Sequence, residues 1–85
     1  MDKLYESLTP EQRIEDRKLR TLQRLVDAAG RLIVTGSLSR PEAERLAQNT
    51  REAAQRIIPD QMELYELIYG ARFRRWIETF TIGSP

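Results

Sequence analysis

The sequence predicts an all-α fold, a three-helix up-down-up bundle preceded by a short N-terminal helical strap. Apolar residues recur at spacings of three and four in three stretches, and each stretch opens with residues that favour helix N-termini. Only a few residues separate the stretches, so consecutive helices should lie antiparallel. With 85 residues, the chain is expected to form a single domain. The predicted segments are the strap at 1–8 and helices at 9–35, 39–58 and 60–81.

The first helix is delimited by residues with strong positional preferences. Thr9 is a suitable N-cap, Pro10 suits the first helical position, and Gln12 completes a capping box. Gly36 is a natural C-terminal stop. The apolar residues fall within an arc of about 140° at about 100° per residue, which predicts the face that is buried in the core. That face comprises Leu19, Leu22, Leu25, Val26, Ala29, Leu32 and Ile33.

The second and third helices are delimited in a similar way. Ser39 with Glu42 and Asp60 with Glu63 both match a capping box, and Pro59 separates the two helices. Small residues of the second helix are expected to pack against Gly30 of the first. The apolar faces together predict a core centred on Leu22, Val26, Ile33, Leu46, Ala54, Ile57, Tyr69, Phe73 and Trp76.

The third helix carries an aromatic stripe that is typical of a core face. Its members project within about 80° of one another on an α-helix. They are Met62, Tyr65, Tyr69, Phe73, Trp76 and Phe80.

A second apolar patch lies on the same helix, centred about 150° away from the aromatic stripe. It consists of Leu64, Leu67, Ile68 and Ala71. A helix that is apolar on two sides is normally covered on two sides. The cover could be the strap, a second copy of the chain or a different protein. The most economical interpretation is a homodimer interface formed by these four residues.

An arginine stripe follows the first helix on the side opposite its leucines, at Arg13, Arg17, Arg20, Arg24 and Arg31. These side chains could contact phosphates, which would indicate a nucleic-acid-associated protein. A solvated face is favoured instead, because Asp16–Arg20 and Asp27–Arg31 are expected to pair and no aromatic residue interrupts the stripe. Nucleic acid is therefore an alternative partner rather than the predicted one.

The composition leaves little for catalysis. The chain has no histidine and no cysteine, which removes the commonest general base, thiolate chemistry and the usual transition-metal ligands. No glycine-rich phosphate loop is present. We therefore expect no enzymatic activity, no cofactor and no metal site. The absence of a long apolar run predicts that the chain has no membrane span, and the absence of cysteine is consistent with the predicted cytoplasmic location. The predicted function is a non-catalytic protein–protein interaction module that self-associates through its third helix.

Overall fold

A computed structural model describes residues 10–81 of the protein. These residues form a bundle of three helices. The first two helices are α1 (Pro10–Thr35) and α2 (Arg40–Ile57). The third begins after a 3-10 turn at Pro59–Gln61 and runs continuously through α3 (Met62–Tyr65), a π turn (Glu66–Gly70) and α4 (Ala71–Phe80). The predicted all-α fold is thus confirmed, whereas the strap at 1–8 and the cap at Thr9 lie outside the described residues.

The connection between α1 and α2 follows from local hydrogen bonds. The Gly36 N–H donates to the Leu32 carbonyl at 2.7 Å, and a Cβ on Gly36 would collide with that same carbonyl oxygen. The left-handed residue of the turn is Ser37, with φ of 52°. Glycine is therefore needed at position 36 because the backbone approaches so closely, and the next residue makes the reversal.

The capping box at the start of α2 is formed as the sequence predicts. The Glu42 N–H donates to Ser39 Oγ at 3.3 Å, and the Ser39 N–H donates to Glu42 Oε1 at 3.0 Å. The Asp60–Glu63 box is wrong, because the chain enters the third helix through the 3-10 turn. Gln61 occupies the N-cap position of α3 without a side-chain cap bond.

The core contains five of the nine predicted central residues in fully buried form: Leu22, Val26, Ile33, Ala54 and Phe73. The other four are partly buried and pack against it: Leu46, Ile57, Tyr69 and Trp76. The remaining buried apolar residues are Ala29, Ala43, Ile58, Tyr65 and Ile77. The predicted core face of α1 was too wide, because Leu19, Leu25 and Leu32 are exposed. Two neighbouring helices cover only a narrow strip of α1.

Trp76 packs directly on the backbone of α1. A Cβ added to Gly30 would lie 2.5 Å from Trp76 Cη2 and 2.6 Å from Cζ3. The Phe73 ring meets the same indole edge-on, with centroids 5.3 Å apart. A side chain at position 30 would therefore meet the large ring of the third helix, and glycine leaves room for that ring.

The π turn sets which residues of the third helix enter the core. On an uninterrupted α-helix, Ile77 would project about 120° away from Tyr65. A π turn accommodates about one additional residue, and this brings Ile77 to within about 20° of Tyr65. Both side chains are buried, and Phe73 between them is buried as well. Phe80, the last member of the predicted aromatic stripe, is exposed at the end of α4.

Candidate interaction surface

The second apolar patch of the third helix lies on the surface of the described part of the chain. The exposed fractions are 51% for Leu64, 75% for Leu67 and 41% for Ile68, while Ala71 is partly buried. Leu67 follows the buried Tyr65 by two residues, about 200° around the helix, so it projects away from the core. Exposed clusters of large aliphatic side chains are typical of association surfaces, so these residues form a candidate surface.

Charged residues of opposite sign flank the patch along the helix. Glu63 is exposed on its N-terminal side, and Arg72 and Arg75 are exposed on its C-terminal side. The Arg72 guanidinium carbon lies 5.6 Å from the centroid of the Tyr69 ring, a cation–π contact that restrains the arginine. The surface therefore has an apolar centre, an acidic end and a basic end.

A cleft of about 320 Å³ separates α2 from the third helix. Its central ion pair joins Arg51 Nε to Glu66 Oε1 at 2.7 Å. Tyr65 also lines the cleft, and its buried hydroxyl has no hydrogen-bond partner among the described residues. Burial raises the pKa of this hydroxyl to about 12, so the group remains a neutral donor at physiological pH.

The arginine stripe of α1 is only partly available to solvent. Arg17, Arg20, Arg24 and Arg31 are exposed, whereas Arg13 is half-buried. The predicted pair with Asp16 is formed, with Arg20 Nε 3.0 Å from Asp16 Oδ2. The predicted Asp27–Arg31 pair is not among the ion pairs that the structure shows between residues 10 and 81. The five arginines are therefore not equally exposed.

A second apolar surface, which was not predicted from the sequence, lies between α1 and α2. Ile14, Leu25 and Leu32 of α1 are exposed at 50%, 38% and 54%. Two concavities lie beside them, one of about 490 Å³ that includes Ile14 and Ile57, and one of about 360 Å³ that includes Leu32. The helical periodicity predicts Leu25 and Leu32 to be core residues, whereas their seven-residue spacing is the signal that indicates a separate row.

Within residues 10–81, no group of three or more acidic, histidine or cysteine side chains is arranged to hold a metal ion. The helices described here are all too short or too polar to cross a membrane. Comparisons with protein-family models, with curated proteins and with solved structures found no match. The geometry of the surface is therefore the basis for a functional interpretation.

Proposed function

We propose that this protein is a non-catalytic interaction module that self-associates as a two-fold dimer through its third helix. The observation that carries the proposal is the exposure of Leu64, Leu67 and Ile68 side by side. Leaving these side chains in water costs about 25 cal/mol per Å² of apolar area. A contact that covers them therefore contributes several kcal/mol, part of which is offset by the entropy of association. A dimer in the micromolar range is expected.

The order of charges along the third helix supports a second copy as the partner. In a two-fold contact, the same surface is used by both chains, and each residue meets its counterpart about the axis. If two third helices cross antiparallel near Leu67 and Ile68, the acidic end of one meets the basic end of the other. Glu63 then lies opposite Arg72 of the second chain. The surface is thus complementary to itself in both hydrophobicity and charge.

The test is Leu67→Glu, analysed by sedimentation or light scattering over a range of concentrations. Each chain of a symmetric dimer would place this charge in an apolar contact, so the variant should be a folded monomer. The matched control is Leu32→Glu, which changes another exposed leucine on a different face and should leave the dimer intact. A native chain that stays monomeric at high concentration contradicts the proposal. So does a Leu67→Glu variant that dimerises normally.

The register of the dimer is tested by charge reversal. Glu63→Arg and Arg72→Glu should each weaken the dimer, because each places like charges opposite one another. The double variant should recover most of the affinity if the two residues face each other across the axis. Additive weakening in the double variant would exclude this antiparallel register.

A further inference from the structure

We infer that the groove between α1 and α2 binds an acidic amphipathic helix of a partner protein, independently of the dimer contact. The groove lies on the side of α1 and α2 that the third helix leaves open. Apolar side chains form the floor of the groove, and arginines lie along its rims. The floor indicates the shape of the occupant, and the rims indicate its charge.

The floor of the groove is aliphatic over most of its length. On α1 the floor is formed by side chains spaced seven, four and seven residues apart. This spacing keeps them on one narrow face of the helix. On α2 the opposing side chains are partly buried. Ile14, Thr21 and Ile57 line the first concavity, and Leu32 and Leu46 line the second. Leu25 and Ala53 lie between the two concavities on the same helix faces, as their spacing along α1 and α2 indicates.

The dimensions of the floor fit a helix. From Ile14 to Leu32 the α1 axis rises about 27 Å, which is the length of an α-helix of about 18 residues. The two concavities lie towards opposite ends of this row, one with Ile14 and Ile57 and the other with Leu32 and Leu46. Anchoring residues about five turns apart on one face of a partner helix would enter both of them.

The rims of the groove are predominantly basic. Arg17 lines the first concavity, and Arg24 and Arg31 follow it at intervals of seven residues along α1. From α2, Arg56 contributes to the first concavity, whereas Arg45 and the acidic Glu42 both line the second. Within the described part of the chain, Arg24, Arg31 and Arg56 have no carboxylate at ion-pair distance. An occupant with acidic residues on both flanks would supply these partners.

The floor favours a helix over a nucleic acid. Bases stack on aromatic rings in single-stranded binding sites, and none of the residues that line the two concavities is aromatic. Phosphates could reach the arginines, but they would leave Leu25 and Leu32 exposed to water. An amphipathic helix satisfies both features, because its leucines cover the floor and its glutamates meet the rims.

The experiment uses a fluorescent synthetic peptide of about 18 residues, with leucines on one helical face and glutamates on both flanks. Fluorescence anisotropy with the full chain should show binding that weakens as salt rises from about 50 to about 300 mM. A peptide of the same composition in permuted order, without the leucine face, should bind at least about 10-fold more weakly.

Two pairs of substitutions separate the floor from the rim. Leu25→Ser with Leu32→Ser should lower affinity about 10-fold or more at both salt concentrations. Arg24→Gln with Arg31→Gln should lower it several-fold at low salt and much less at high salt. Arg74→Gln with Arg75→Gln removes the same charge from the third helix and should change little. Leu67→Glu should also bind the peptide normally, so failure of the dimer and failure of the groove are distinguishable.

Three outcomes overturn the inference. The first is equal binding of the ordered and permuted peptides, which would mean that the net charge of the peptide alone determines its affinity. The second is unchanged affinity in the Leu25→Ser/Leu32→Ser variant. The third is binding of a duplex oligonucleotide, but not the peptide, with a dependence on Arg24 and Arg31 and none on the leucines. That last result would identify the face as a phosphate-binding surface.

Discussion

At the scale of single residues, Gly30 and Gly70 occupy helical positions with very different surroundings. A side chain at position 30 would meet the Trp76 ring, which is held between α1 and Phe73. A Cβ at position 70 would lie 3.0 Å from Glu66 Oε2, the end of a flexible side chain. Substitution by alanine should therefore be more costly at position 30 than at position 70.

We predict that Gly30→Ala lowers the free energy of unfolding by about 2 kcal/mol, because overpacking outweighs the better helix propensity of alanine. Gly70→Ala should remain within about 1 kcal/mol of the native value. Urea denaturation followed by circular dichroism measures both. Equal losses at the two positions would show that the Trp76 contact does not limit position 30.

Tyr65 has a buried polar group whose hydrogen-bonding capacity is not satisfied. Its hydroxyl is buried without a partner among the described residues, and an unsatisfied buried polar group is costly. We predict that Tyr65→Phe leaves the free energy of unfolding unchanged or raises it by about 1 kcal/mol at neutral pH. Thermal and urea denaturation provide the measurement, and a marked loss would mean that the hydroxyl makes a stabilising bond.

The same residue should make the fold sensitive to alkali. Desolvation raises the pKa of Tyr65 from 10.0 to about 12 in the folded chain. Between these pH values, the unfolded chain loses the phenol proton and the folded chain retains it, so stability falls as pH rises. The Tyr65→Phe variant should lack this component of the decline. Tyr69→Phe, which changes the ring 5.5 Å away, should retain it.

At the scale of elements, the π turn determines how the two parts of the third helix are oriented about their common axis. A π turn holds one residue more than the α-helical turn it replaces, so we predict that deleting Gly70 converts Glu66–Gly70 to α-helical geometry and leaves the orientation of α4 relative to α3 unchanged. Phe73 and Ile77 should then stay in the core, and the free energy of unfolding should remain within about 1 kcal/mol of that of Gly70→Ala. Gly70→Ala is the matched control, because it changes the residue without shortening the helix. A deletion variant that is several kcal/mol less stable than this control would contradict the role given to the turn.

The π turn also explains which part of the core could be predicted from the sequence. A constant rotation of about 100° per residue correctly groups Tyr65 with Phe73 but places Ile77 on another face. No single-residue signal marks the turn, because Gly70 is equally compatible with a kink or a close contact. The capping box at Ser39 was predictable, because its bonds are local. The equivalent pattern at Asp60 failed because Pro59 instead begins a 3-10 turn.

At the scale of the whole molecule, three helices are too few to cover every apolar row. The sequence indicated the patch around Leu67, because it lies opposite an aromatic stripe on the same helix. It did not indicate the groove around Leu25 and Leu32, because those leucines adjoin the true core face of α1. The side of α1 that stays exposed depends on where α2 and the third helix pack against it. The packing arrangement is set by the whole bundle and not by the sequence of α1 alone.

The packing of Trp76 on Gly30 also has a consequence for the evolution of the chain. The two positions lie 46 residues apart in sequence, yet the volume available at one is taken up by the other. A larger residue at position 30 becomes tolerable only when Trp76 is replaced by a smaller side chain, for example leucine. Among homologous chains that keep this bundle, the two positions should therefore covary, and the order of substitution should begin with the loss of the indole.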